Sequence, residues 1–233
     1  MISAGAHPQG AHPPERPAPS GNVKAARNDW LDLALSVLQR DGVAAVTVLD
    51  LSERLRVSRS SFYWYFRNRG QLLDELLKRW EDLNTRSIVR QSEAPAASIC
   101  EAVCNVFRCW VDPDLFSPHL DFAVREWARR SETVRKALDR SDAERTAAIQ
   151  AMFMRYGYPF EDAMVRARVL YYMQIGYYAL DIKEPMEARL KLTPHYLQTF
   201  TGVAPREEDL ASFRAYAMLH AGGEDLTMVE ATG

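Results

Sequence analysis

Five arginines lie close together between Glu53 and Asp74, and no acidic residue separates them. The planar guanidinium group can bind two oxygen atoms of a phosphate at once, which makes arginine better suited to phosphate than lysine. Ser60 and Ser61 add two short hydrogen-bonding side chains, which could meet phosphates or base edges. These residue types favour contact with nucleic acid, although a solvated basic corner of an ordinary three-helix unit would carry the same charge. The arginines are Arg54, Arg56, Arg59, Arg67 and Arg69.

Two short helices, separated by a turn at 55–57, are expected to position these side chains. Thr47 is placed to cap the first helix with its hydroxyl, and Ser58 is placed to cap the second. Leu51 and Leu55 stand four residues apart, so one face of the first helix should pack on a core. The second helix is only about two turns long and cannot be stable alone. Neighbouring helices must therefore hold it in place.

Longer helices are predicted on both sides of this pair. Apolar residues at helical spacing predict a helix over 24–41, which Gly42 ends as a C-terminal glycine. A second apolar stripe predicts a helix from Gly70 to Val89, whose first turn offers free amides to a phosphate. Its far end leads away from the basic cluster, so this helix could connect two functional halves.

The chain carries, in order, Asp50-Leu51-Ser52, Val57-Ser58-Arg59, Phe62-Tyr63-Trp64-Tyr65-Phe66, Arg69 and Leu72-Leu73. This order of residues resembles the tetracycline-repressor (TetR) family of bacterial transcriptional regulators. The resemblance is specific over roughly 27–75 and loose beyond. In that family a Tyr-x-Tyr-Phe run ends the recognition helix and a basic residue starts the next helix. This chain has Arg56 where the family usually has Gly and Ser52 where it has Ala, and a side chain in a left-handed turn costs on the order of 1 kcal/mol.

The resemblance implies a set of DNA contacts and a form of DNA. Phe62 and Phe66 should pack inward while their neighbours face outward. A symmetric dimer would bind double-stranded DNA at a palindromic operator, with half-sites spaced by whole helical turns of roughly 34 Å. The residues implied to face DNA are Arg59, Ser60, Ser61, Tyr63 and Trp64, with Thr47 and Arg69 on phosphates.

Composition fits such a protein without requiring it. The 233 residues and a hydrophobic fraction of 47% allow one medium domain or two small ones with a substantial core. The net charge is −2, so the basic surface is local. Three cysteines without a pairing pattern suggest a reducing compartment. With neither an apolar run of membrane length nor a signal peptide, we expect a cytoplasmic protein with no membrane partner.

The predicted fold is all-α in two parts. An N-terminal three-helix helix-turn-helix domain precedes a C-terminal helical domain for ligand binding and dimerisation, as in TetR proteins. The predicted segments are a disordered tail (1–22), the DNA-binding domain (23–70), a connecting helix (71–92), the C-terminal domain (93–222) and a frayed end (223–233).

The C-terminal half holds the candidates for dimerisation. Helices are predicted near 98–111, 117–130, 132–156, 161–182, 185–201 and 206–221. The helix near 161–182 is uncharged from Val169 to Leu180 and rich in tyrosine, so we expect it to be buried on all sides. It would form a four-helix seam with the helix near 206–221 and the same two helices of a second subunit. Close approach of another backbone would explain Gly176 in mid-helix.

An effector cavity is implied by the resemblance, with one of the tyrosines as polar anchor. Its predicted lining comes from four helices: Phe107, Trp110, Trp127, Phe153 and Tyr171. The alternative is that these aromatics simply fill the core. Cys100 and Cys104 stand one turn apart and could suggest a metal or redox site, but cysteines in an apolar helix are usually small core residues.

No catalytic constellation, cofactor motif or metal-ligand spacing is found in the sequence, which argues against an enzyme. The expected function is a repressor released from its operator by an unknown small molecule. The alternative is a ligand-independent, dimeric DNA-binding co-regulator whose C-terminal half only dimerises.

Overall fold

The computed structural model describes residues 25–221. The predicted tail (1–22) and frayed end (223–233) lie outside the described residues. Every regular element within 25–221 is helical, which confirms the all-α prediction. None of the described helices is long and apolar enough to cross a membrane.

The helices follow the predicted order, with bounds that differ by a few residues. They are α1 (Arg27–Asp41), α2 (Val48–Arg54), α3 (Arg59–Phe62), α4 (Arg69–Trp80), a π-helical segment (Glu81–Thr85), α5 (Arg86–Glu93), α6 (Ile99–Arg108), α7 (Pro118–Ala128), α8 (Glu132–Arg155), α9 (Phe160–Ala179), α10 (Met186–Thr201) and α11 (Glu207–His220).

The predicted connecting helix is one rod made of three parts: α4, the π-helical segment and α5. Glu81, where α4 ends, keeps helical dihedrals (φ −59°, ψ −46°), so the chain does not bend away there. Asn68 caps the start of the rod, because its side chain accepts a hydrogen bond from the Gln71 amide at 2.9 Å. Single-turn π segments inside α-helices often occur at functional sites.

The core of the N-terminal domain extends beyond the predicted domain boundary. Trp30, Leu38 and Phe62 are fully buried in one cluster, and the same cluster includes Val124 of α7 and Leu138 of α8. Helix α7 packs against α1 and α4. The two predicted domains therefore share apolar contacts.

A second cluster, built from α6 and α8–α11, forms the core of the C-terminal domain and includes all three cysteines. Burial raises the pKa of the Cys104 and Cys109 thiols to about 12, which disfavours the reactive thiolate. Burial also raises the pKa of Cys100. No metal-binding group of three or more His, Cys, Asp or Glu residues occurs among the described residues. The cysteines are core residues in this structure.

Within one subunit, helix α9 has an exposed apolar face, and the sequence analysis predicts a second subunit against this helix. Val169 is 49% exposed and Tyr172 is 57% exposed on its outer face. Nothing lies within 4 Å of a Cβ built on Gly176, so no backbone of the described residues approaches it closely. None of the described residues covers this apolar face.

The neighbours of α9 within the subunit are mainly α8 and α10, while α11 packs mainly against α6 and α10. Helix α10 therefore flanks α9 within the subunit. Spacing along the chain shows which helix faces are apolar but not which helices become neighbours.

Candidate nucleic-acid interface and ligand cavity

Helices α2 and α3 meet at a left-handed turn. The Thr47 hydroxyl accepts a hydrogen bond from the Asp50 amide at 3.1 Å, which confirms the predicted cap. Arg56 has φ 56°, so the residue that replaces the usual glycine does adopt the left-handed conformation. The Val57 amide donates to the Ser52 carbonyl at 3.0 Å and closes the turn. The turn keeps its shape at the cost of a strained arginine backbone.

Three serines at the start of α3 form hydrogen bonds with one another, and within the described chain only the Ser61 side chain bonds to the backbone. Ser58 occupies the N-cap position, but the prediction that its side chain caps the helix was wrong. Its hydroxyl is instead 2.8 Å from the Ser60 hydroxyl. Ser61 is buried and donates to the Ser58 carbonyl at 2.8 Å. Ser60 is therefore the more exposed of the two serines predicted to face DNA.

The aromatic run divides into a buried and an exposed pair. Phe62 and Phe66 are buried, as predicted, with the Phe62 ring centroid 5.3 Å from that of Trp30. Tyr63 is 59% exposed and Trp64 is 64% exposed. An edge-on contact of 5.3 Å between the Phe62 and Tyr63 rings links the two groups. The core therefore sets which way the exposed aromatics project.

The arginines of the cluster have different surroundings. The guanidinium groups of Arg56, Arg59 and Arg67 are exposed and have no hydrogen bond or ion pair within the part of the chain that the structure describes. Arg54 is instead 2.9 Å from Asp50 and 3.5 Å from Asp41. Three of the five predicted cations thus present unneutralised charge beside the exposed aromatic pair.

Arg69 reaches back to the loop between α1 and α2. Its Nε donates to the Val46 carbonyl and its Nη2 donates to the Val43 carbonyl. The loop carbonyls before α2 are thereby held to the start of α4. The sequence analysis predicts that Arg69 contacts a DNA phosphate. Within the subunit, its guanidinium group is hydrogen-bonded to the loop before α2.

The predicted DNA contacts therefore fall into two groups. Arg59, Ser60, Tyr63 and Trp64 share one exposed region on α3 and the turn after it. The others are tied to the backbone: Thr47 as a cap, Ser61 within α3 and Arg69 on the loop. Arg56 and Arg67, which sequence analysis counted only as charge, stand exposed next to the first group.

A half-open cavity lies in the C-terminal domain between α6, α9, α10 and α11. Its empty space, including the open mouth, is about 550 Å³. Burial raises the pKa of Tyr177 to about 12, so its hydroxyl stays protonated and donates to Glu184 at 3.1 Å. The lining residues are Phe107, Trp110, Val111, Met173, Gln174, Tyr177, Glu184, Met186, Arg189, Leu190, Thr193, Tyr196 and Phe213.

The structure brings only two of the predicted effector-binding residues to this cavity. Phe107 and Trp110 line it. Trp127 packs against the N-terminal cluster, and Phe153 is fully buried in the C-terminal core. Tyr171 is buried among charged groups, where Arg125 and Arg145 donate to its hydroxyl at 3.1 and 2.9 Å. None of the last three lines the cavity, and sequence spacing does not reveal this.

Sequence analysis missed two cavity residues that could bind a ligand. Gln174 is the one amide in the uncharged stretch from Val169 to Leu180, and this isolated polar residue was an available signal. Arg189 lies at the mouth, where its Nη2 donates to the Trp110 carbonyl at 3.2 Å and its guanidinium is 5.7 Å from the Tyr177 ring centre. Nothing in the local pattern of α10 distinguishes Arg189 from a surface arginine.

Asp121 was also missed, and it joins the connecting rod to the C-terminal domain. Its Oδ1 accepts hydrogen bonds from Trp80 at 2.8 Å and from Asn84 at 3.3 Å. Arg145 donates to the same oxygen and, through Nε at 3.0 Å, to Thr85 in the π-helical segment. The π-helical turn thus places its polar side chains on a buried charged centre.

Comparison with known proteins agrees with this arrangement. The model described as "Bacterial regulatory proteins, tetR family" matches residues 31–76. The tetracycline repressor protein class A from transposon 1721 of Escherichia coli is 35% identical over 72 residues, which cover 30% of this chain and 33% of that protein. The match thus spans about a third of the length of that relative.

Two solved structures extend the comparison to most of the chain. The crystal structure of Mycobacterium smegmatis AmtR covers 88% of this chain and 98% of its own, with a TM-score of 0.57 and 17% identity, which supports a shared fold. A possible TetR family transcriptional regulator from Streptomyces coelicolor A3(2) covers 87% and 100% at 16% identity, and its TM-score of 0.38 is too low to support an argument. Residues 31–76 thus match the model of the tetR family of bacterial regulatory proteins, and the all-helical fold of the chain as a whole is similar to that of AmtR.

Proposed function

We propose that the protein is a homodimeric, DNA-binding transcriptional repressor that a small-molecule effector releases from its operator. The observation that carries this proposal is the exposed region on α3, where Arg59, Ser60, Tyr63 and Trp64 project beside unpaired guanidinium groups. Exposed aromatics on a well-packed base are unusual unless they bind something. In a helix-turn-helix unit this region contacts base edges and phosphates.

The contacts within the subunit suggest which residues of this surface would touch DNA and which would hold the backbone in place. Arg59, Ser60, Tyr63 and Trp64 would contact DNA directly, and Arg56 and Arg67 would strengthen attraction to phosphates. Thr47, Ser61 and Arg69 would act mainly by fixing the surrounding backbone. The Arg69 contacts to Val43 and Val46 support that role for Arg69.

Dimerisation is supported by the uncovered apolar face of α9. Val165, Val169 and Tyr172 are each about half exposed, at 53%, 49% and 57%. A second copy of the chain would cover them symmetrically. Because α10 is the neighbour of α9, we place Leu192 and Tyr196 of α10 at the flank of this interface. A four-helix interface of α9 and α10 thus replaces the seam expected from the sequence.

Effector release would use the connecting rod. The rod begins beside α3 and ends against α8, and the Trp80–Asp121 hydrogen bond fixes its position relative to α7. A ligand releases DNA only if it binds the DNA-incompetent arrangement more tightly, and a tenfold loss of operator affinity needs about 1.4 kcal/mol of such preference.

Selection from a random double-stranded DNA pool tests the proposal. The purified full chain should enrich a palindrome whose half-sites lie a whole number of helical turns apart. Binding without enrichment of any sequence would contradict a role as an operator-specific regulator.

The ligand-independent co-regulator is distinguished by screening small molecules for their effect on thermal stability and on operator affinity. The half-open cavity favours an effector-dependent repressor. Operator affinity that no stabilising compound changes would instead favour the co-regulator.

A further inference from the structure

We infer that the cavity between α6, α9, α10 and α11 binds a small planar ring compound through a carbonyl or carboxylate oxygen held by the side-chain amide of Gln174. This inference rests on the proposed function, because it gives the chemical class of the effector.

The walls of the cavity select for a flat apolar group. The ring centroid of Phe107 is 5.1 Å from that of Trp110 and 5.8 Å from that of Phe213. Met173 and Met186 complete the lining with flexible, polarizable side chains that adapt to an aromatic surface.

Gln174 supplies the polar contact. The residue is 6% exposed, and its Nε2 is buried without a hydrogen-bond partner among the described residues. Burial raises the pKa of the nearby Tyr178 hydroxyl and the Gln174 amide lowers it, but the geometry between the two groups is not that of a hydrogen bond. Leaving a buried amide donor unpaired is costly, so an acceptor oxygen on the ligand would remove that cost.

The charge at the mouth of the cavity favours a ligand with a carbonyl or carboxylate oxygen over a ligand with an amine. Arg189 stands there with its guanidinium over the Tyr177 ring, and it attracts a carbonyl or carboxylate. The one acidic group at the mouth, Glu184, already accepts the Tyr177 hydroxyl. An amine at the mouth would therefore be repelled by the charge of Arg189, whereas a carbonyl or carboxylate would be attracted to it.

Matched probe compounds test the inference without DNA. Ligand-observed NMR titration of the full chain compares acetophenone and benzoate, which carry the oxygen, with ethylbenzene, which lacks it, and with benzylamine. We expect the oxygen-bearing probes to bind about tenfold more tightly than ethylbenzene, because only they pair the amide. Benzylamine should bind most weakly. Equal binding of acetophenone and ethylbenzene, preference for benzylamine, or no binding by any probe would overturn the inference.

Two variants separate the amide from general packing. Gln174→Met keeps a similar volume and should abolish the preference for acetophenone over ethylbenzene. Gln198→Met changes an exposed glutamine of α10 and should preserve it. A preference that survives in Gln174→Met assigns the oxygen to another group and overturns the role of Gln174.

Operator binding is then measured separately with the same probes. Probe binding as expected without any loss of operator affinity would leave the ligand class standing and refute effector release. Operator release by compounds whose binding is unaffected by Gln174→Met would support effector release and refute this ligand class.

Discussion

Arg145 and Asp121 form a fully buried ion pair in which Arg145 Nη1 lies 2.9 Å from Asp121 Oδ1. The pair lies between α7, α8 and the π-helical segment of the connecting rod. Burial would raise the pKa of the Asp121 carboxyl, but the neighbouring Arg145 and Arg125 outweigh burial and hold that pKa below its ordinary value. The guanidinium group of Arg145 also lies 5.0 Å from the Trp80 ring centre. Two charges thus hold the rod against the C-terminal domain.

Removal of Arg145 is expected to destabilise the protein strongly. Arg145→Met leaves the buried Asp121 carboxylate with only Arg125 as a cationic neighbour among the described residues, and breaking a buried pair costs about 3–5 kcal/mol. The measurement is the free energy of unfolding by urea. Arg140→Met is the matched control, because Arg140 pairs with Glu81 at 2.8 Å while 66% exposed, and such a pair contributes less than about 1 kcal/mol. Similar losses in the two variants would contradict the importance of the buried pair.

Acidification should lower the free energy of unfolding, in part through protonation of Asp121. The pKa of this carboxyl is lowered in the folded state, so its stabilising contribution is complete well above the unfolded value of about 3.9 and is lost as the pH falls through the lower folded pKa. Asp121→Asn should therefore lower stability at neutral pH and flatten its decline on acidification. Unfolding free energies measured from pH 7 towards pH 3 check this expectation. An equally steep decline in the variant would show that other carboxyls are responsible.

The exposed hydroxyl of Tyr63 should act on DNA without regard to sequence. Tyr63→Phe is expected to weaken binding to the operator and to random DNA by similar factors, because a contact to phosphate carries no base information. Fluorescence anisotropy with both DNAs measures the two affinities. Arg130→Ala, at an exposed arginine beyond α7, should leave both unchanged. A changed operator preference with constant affinity for random DNA would assign Tyr63 to a base instead.

The oligomeric state should depend on α9. Val169→Asp places a charge on its uncovered face and is expected to give a monomer at micromolar concentration, measured by light scattering. Leu219→Asp introduces the same charge at an 81% exposed site on α11 and should leave the dimer intact, because α10 is the neighbour of α9. A monomeric Leu219→Asp together with a dimeric Val169→Asp would place the interface on α11 instead. A wild-type chain that is monomeric would refute dimerisation.

Local features of the DNA-binding unit could be predicted from the sequence because each depends on near neighbours. The Thr47 cap requires only an amide three residues away, and Phe62 and Phe66 face the core through helical spacing alone. The conformation of Arg56 follows from its place in a turn that usually holds glycine. Chain periodicity likewise sufficed for the order of the helices and for the apolar character of α9.

Packing between distant helices decided the rest. Arg69 turns to the carbonyls of Val43 and Val46 because the fold brings that loop within reach, and Tyr171 meets two arginines from other helices. The cavity centres on Gln174 because α10 lies beside α9. The sequence by itself therefore determined which residues are apolar, capping or charged. Only the tertiary structure decided which of them meet, because apolar burial is non-directional and leaves the choice of partner to the whole set of helices.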